Sequence, residues 1–212
     1  MNTLSAARFI VMPKLSKEFY LRRNVLQVAK NILGKVLVTQ SGGKITSGRI
    51  VEVEAYNGIV DKASHAFGGR RTKRNEVMYG EGGYAYVYLC YGIHHLFNVV
   101  TGVNDEPHAV LIRALEPVSG IEIMAKRTRK QKDDISITKG PGNLSKALNI
   151  STSQNATDLL GKNIFLLDDG VKYSDKEIDA SPRIGVDYAG EDALLPYRFF
   201  VKKSLYISGR TK

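Results

Sequence analysis

The stretch from Tyr84 to Asn98, entered through Gly83, constrains the fold of this chain more than any other. It carries four of the eleven tyrosines: Tyr84, Tyr86, Tyr88 and Tyr91. The first three recur at a period of two, so on an extended strand they share one face of a sheet. Tyr91-Gly92 then breaks the phase, as a strand does on reaching a turn. An aromatic face ending in a tight turn can be a packed core sheet. It can also be a stacking platform with a protruding tip, the arrangement that holds an unstacked nucleic-acid base. The rest of the chain has to decide between them.

Charge favours the second use. The 212 residues carry a net charge of +10, and a domain this basic most often meets polyanions, nucleic acid before an anionic membrane. A merely basic surface is the plainer alternative. With 43% hydrophobic residues the chain can bury a substantial core. No repeat, low-complexity tract or linker divides it, so a single domain over 1–212 is expected, with 1–15 a loosely held lead-in. The single cysteine, Cys90, excludes an internal disulfide and a multi-cysteine zinc site. No signal peptide of normal form and no run of about 18 apolar residues is present. The expectation is an intracellular, cytoplasmic protein, nucleoid-associated if bacterial.

Val25, Leu26, Val28, Ala29, Ile32 and Leu33 form one helical face within Asn24–Leu33, with Gly34 placed to end the helix. Lys35–Gln40 and Ile45–Ala55 read as strands joined by a hairpin turn at Ser41–Lys44. Polar Asp61–Glu81 reads as loop with short helix. Further strands are predicted at Tyr84–Cys90, Leu96–Thr101, Ala109–Leu115, Asn163–Leu167, Arg183–Val186 and Tyr197–Lys202. Ser119 and Glu122 have capping-box spacing, which starts a helix there that runs to about Lys130. A second short helix follows Gly142, through Leu144–Leu148. The irregular mixture predicts an α+β fold around a mainly antiparallel, strongly curved sheet, with flanking helices and a protruding β-hairpin.

The motifs exclude several chemistries. Gly80-Glu81-Gly82-Gly83 lacks the third glycine and the setting of a dinucleotide fingerprint, and Lys139-Gly140-Pro141-Gly142 lacks a P-loop ending. None of His65, His94, His95 and His108 stands in a zinc-deaminase or His-Glu-x-x-His pattern, so a metal-free mechanism without cofactor is expected. What remains is the strand Arg49–Tyr56. There Glu52, Glu54 and Tyr56 alternate on one face, with Val51, Val53 and Ala55 on the other. A solvated strand face is the ordinary account of such glutamates; the neighbouring Tyr56 and the basic loop after it argue for more.

Several separated segments now line up. They are Arg49–Gly58, Ala63–Ala66, Gly69–Asn75, Tyr84–Asn98, Val110–Pro117, Lys139–Leu148, Ser181–Gly190 and Pro196–Val201. In order and spacing they resemble the 3-methyladenine (alkyladenine) DNA glycosylase family, over nearly all of the chain from about Phe19. The resemblance implies a monofunctional, base-flipping hydrolase of base-excision repair. Such an enzyme releases alkylated purines, 3-methyladenine above all, with hypoxanthine and ethenoadenine as further substrates, and leaves an abasic site. By position in the family motif, Glu54 is the carboxylate that deprotonates water and stabilises an oxocarbenium-like sugar. Spacing alone does not choose it over Glu52. The resemblance sets Arg113 and the backbone carbonyl of Ile184 beside that water. It sets the base between Tyr56 on one side and His65 with Tyr88 on the other, with backbone at His65 reading the purine's 6-position. It makes Asn98 a barrier to guanine's 2-amino group and Tyr91 the wedge that fills the gap in the duplex.

The basic cluster Arg70, Arg71, Lys73 and Arg74 is a candidate phosphate contact. A second cluster at Lys126, Arg127, Arg129, Lys130 and Lys132 is a weaker one. The expected partner is double-stranded DNA carrying damaged purines, met by a monomer, with no membrane. The alternatives are a non-catalytic nucleic-acid-binding protein with a base-stacking sheet and an RNA-modifying enzyme using the same flip.

Overall fold

A computed structural model of the chain describes residues 12–209. Its spine is β2 (Lys44–Tyr56), at 13 residues the longest strand. Along one edge β2 pairs antiparallel with β5 (His108–Ser119). Along the other it pairs first with β1 (Val36–Ser41) and then, at Glu52–Glu54, with β8 (Arg198–Val201). β3 (Ala85–Cys90) and β4 (His94–Thr101) extend the sheet beyond β5, and β6 (Ile164–Leu167) extends it beyond β1. The last strand, β7 (Ile178–Ser181), pairs with β8. All pairings are antiparallel. The expected α+β class with a curved antiparallel sheet is what forms.

One face of the sheet carries the main core. Val51, Val53 and Ala55 of β2 lie in it with Val110, Ile112 and Ala114 of β5. Helix α2 (Val25–Ile32) covers that face with Val25, Val28, Ala29 and Ile32, the spacing read from the sequence. Its start is fixed by the Asn24 side chain, which accepts from the Gln27 amide at 3.0 Å. Helices α3 (Ile121–Thr128) and α4 (Pro141–Leu148) pack on each other, with α4 against β4 and β5. The short α1 (Lys17–Tyr20) buries Tyr20. Long loops cover the opposite face, where Glu52, Glu54 and Tyr56 point.

Two expectations change. Ser119 does not cap α3. It is still paired with Ser47 in the sheet, and Gly120, at φ 78°, takes the N-cap position with no side-chain cap. Arg183–Val186 is not a strand: Gly185 has φ 76°, and the paired segment is Ile178–Ser181 just before it. Of the lead-in expected over 1–15, residues 1–11 lie outside the described residues. Leu15 is buried, its amide donating to the Leu166 carbonyl at 3.0 Å.

Candidate active site

Both glutamates of β2 are fully buried, which overturns the solvated-face account. Irregular pairing explains their aim. The β2–β5 register shifts between Ile50 and Glu52 and again between Glu52 and Val53, so Val51 and Arg113 each stand outside the one-to-one ladder. Such irregularities kink a strand and redirect its side chains.

Glu52 is saturated. Arg113 Nε donates to its Oε1 at 3.0 Å and Arg198 Nε at 2.7 Å, the Ser208 hydroxyl donates to Oε1 at 3.0 Å, and the Ser208 amide donates to Oε2 at 2.6 Å. Glu54 has a lighter set. The Ile184 amide donates to Oε1 at 2.8 Å, Arg113 Nη1 lies 3.2 Å from the same oxygen, and the Tyr56 hydroxyl donates to Oε2 at 3.0 Å. The Ile184 backbone thus meets Glu54 through its N–H. Burial works against the Arg113 charge, but Glu54 and Glu52 together hold its pKa above the ordinary arginine value. Burial, with Glu54 beside it, pushes the Tyr56 phenol well up, so it stays a donor at neutral pH.

Above this carboxylate lies a cavity of about 580 Å³, within the usual range for a small-ligand site. Tyr56, Arg113 and Ile184, the three residues that contact Glu54, line it with His65, Tyr86, Tyr88 and Asn98. The aromatic wall is interlocked. The His65 and Tyr88 rings meet edge to face at 4.7 Å, Tyr86 and Tyr88 lie 5.4 Å apart, and His65 Nδ1 is 2.8 Å from the Tyr86 hydroxyl. Burial, then the nearby Arg74 and Arg70, lower the His65 pKa to about 4, so the ring is neutral at physiological pH. Burial lifts Tyr86 to about 12. Asn98 is fixed by its amide, which donates to the Tyr86 carbonyl at 3.0 Å.

Tyr91 stands at the mouth, 85% exposed. It and Gly92 form the centre of the β3–β4 turn at φ 50° and 72°, closed by the Ile93 amide donating to the Cys90 carbonyl at 3.1 Å. Glycine takes this conformation freely; tyrosine is rare there. Exposed Ile93 flanks it on the same tip.

The basic clusters divide. Arg71 is committed to Glu76 and Asp105, and Arg74 lies over the Tyr88 ring, 4.9 Å from its centroid, where it lines the cavity. Arg70 and Lys73 are exposed. In the second cluster Arg127 donates to the Ala147 carbonyl and Lys130 to Ser136. Among the described residues no group of three or more His, Cys, Asp and Glu could hold a metal ion, and no helix is long and apolar enough to cross a membrane.

A family model described as methylpurine-DNA glycosylase (MPG) matches residues 18–205. The chain belongs to the methylpurine-DNA glycosylase family. Three similar proteins carry the name "Putative 3-methyladenine DNA glycosylase". The one from Desulfitobacterium hafniense is 45% identical, over 93% of this chain and 99% of its own. That from Clostridium novyi is 44% identical over the same shares, and that from Chlamydia felis 48% identical over 90% and 98%. The chain is therefore a DNA glycosylase, a hydrolase of N-glycosyl bonds in DNA repair, and DNA is its substrate.

The candidate site also contains residues the motifs did not single out. Tyr86 anchors His65. Arg183 makes a two-pronged pair with Asp61, at 2.5 and 2.8 Å, and places its guanidinium 4.9 Å from the Tyr56 ring centroid. Arg198 and Ser208 complete the shell of Glu52. Alternation pointed to Tyr86, and Arg183 and Arg198 fall inside the matching segments Ser181–Gly190 and Pro196–Val201, but their tasks rest on contacts made across more than a hundred residues of sequence.

Proposed function

We propose that the cavity receives a purine extruded from double-stranded DNA, and that the enzyme, acting as a monomer, hydrolyses its bond to deoxyribose. The observation that carries this reading is a fully buried carboxylate, Glu54, held by an arginine, a phenol and a backbone amide beneath an aromatic-walled cavity. Glu54 takes the proton of the attacking water and stabilises positive charge on the sugar, with Arg113 and the Ile184 backbone fixing the water. Tyr56 faces one side of the base and His65 with Tyr88 the other, at roughly 1–3 kcal/mol per stacked base. An electron-poor, cationic alkylated purine gains a cation–π contribution and is already a good leaving group. This favours 3-methyladenine, the base in the relatives' names, with hypoxanthine and ethenoadenine as slower substrates. Backbone at His65 reads the 6-position, and Asn98 crowds guanine's 2-amino group. Tyr91 fills the gap left in the duplex, while Arg70 and Lys73 are the side chains of the first basic cluster best placed for phosphate.

Duplexes that each carry one defined lesion test the reading. The expected result is free purine and an intact abasic strand, 3-methyladenine released fastest, with chelator present and DNA duplex outcompeting RNA duplex. Strand cleavage, loss of activity to chelator, or preference for RNA would contradict it.

A further inference from the structure

The shell of Glu52 contains one member from far along the chain. Ser208 meets Glu52 with both its amide and its hydroxyl, and the same hydroxyl accepts from Arg113 Nη2 at 3.1 Å. Its carbonyl accepts from Arg198 Nη2 at 2.5 Å. One residue therefore touches Glu52 and both arginines bonded to it. The next residue, Gly209, has φ +76°, and a Cβ there would come within 2.6 Å of Ile184 Cδ1. Ile184 is the residue whose amide holds Glu54. This segment lies past residues 18–205, where the family model matches.

We propose that Ile207–Gly209 is a positioning element of the active site, which holds Arg113 and Ile184 against the same oxygen of Glu54. The inference rests on the catalytic reading of Glu54 and Arg113 above. Ser208 fixes the guanidinium plane of Arg113: Nε is tied to Glu52 directly and Nη2 through the hydroxyl, which leaves Nη1 directed at Glu54. Gly209 leaves the room that the tip of the Ile184 side chain occupies, so a side chain there would push on the residue whose amide holds Glu54. None of the three residues lines the cavity, so their loss acts on the reacting geometry rather than on base or DNA binding.

The test is single-turnover purine release alongside lesion-duplex affinity. Ser208→Ala should slow release roughly 10-fold, because a buried arginine nitrogen loses its acceptor, while affinity stays within about 2-fold. Gly209→Ala is compared with Gly170→Ala, whose φ is +84° with nothing within 4 Å of an added Cβ. Both carry the backbone strain of an L residue, so both should lower the unfolding midpoint by similar amounts. Only Gly209→Ala should slow release, by roughly 10-fold or more. Wild-type release by Ser208→Ala, or equal rates for the two glycine variants, would overturn the proposal. A wild-type enzyme that released no purine would overturn the reading of Glu54 instead.

Discussion

Glu52 and Glu54 lie two residues apart on β2, both fully buried and both in contact with Arg113. Glu52 receives four hydrogen bonds, three from side chains and one from the backbone, and neither carboxylate itself lines the cavity. Every group that holds Glu54 belongs to a residue lining the cavity, Tyr56, Arg113 or Ile184, whereas among the donors to Glu52 only Arg113 does. The difference lies in what each carboxylate is bonded to. A carboxylate satisfied by structural donors is part of the scaffold. One satisfied by groups that also face a ligand space is available for chemistry. Sharing Arg113 couples the two, so the scaffold carboxylate orients the arginine that serves the other.

The largest expected effect separates them by stability. Glu52→Gln leaves two buried arginines without their full counter-charge and should cost about 3–5 kcal/mol in denaturant unfolding. Glu54→Gln, with Arg113 still paired to Glu52, should stay within about 1 kcal/mol of wild type or exceed it. Equal losses would break the distinction.

A second prediction concerns the pocket wall. His65 is folded with its pKa lowered from 6.5 to about 4, so the folded state binds fewer protons than the unfolded one between those values. Stability is therefore full above about pH 6.5 and is lost as pH falls toward 4, by at most about 3 kcal/mol. His65→Gln should flatten that part of the unfolding profile; an unchanged profile would show that another group titrates.

Next in size is the tip. Tyr91→Ala should weaken binding to a lesion duplex by about 1–2 kcal/mol, roughly 10-fold, and affect release from single-stranded substrate much less. Equal effects on both would remove the wedge role. The smallest effect is at Asn98. Asn98→Ser should bring detectable release of guanine, within about 10-fold of background, and no gain would end its part in discrimination.

Local pattern reached some of this arrangement and not the rest. The face of α2, the hairpin at Ser41–Lys44 and the alternation of Tyr86 with Tyr88 follow from periods of 3.6 and 2 and from turn chemistry, all short-range. The Tyr91-Gly92 tip was legible for the same reason. The capping-box spacing at Ser119 misled because strand pairing with Ser47 held that residue in the sheet. The strand expected at Arg183–Val186 did not form because Gly185 takes φ 76° and Asp61, 122 residues earlier, binds the arginine in a loop. The burial of Glu52 and Glu54 was least legible. Their donors include Ile184, Arg198 and Ser208, separated from them by 130 to 156 residues. A charged strand face becomes an interior only when such partners arrive, and nothing within Arg49–Tyr56 announces them.

The central claim is that Glu54 acts in the chemical step and not in binding. Its most direct test measures release rate and affinity on one 3-methyladenine duplex for wild type and Glu54→Gln. The account predicts release slowed at least about 1,000-fold with affinity retained. A Glu54→Gln enzyme that released the base at the wild-type rate, or that failed only because it no longer bound the duplex, would contradict it.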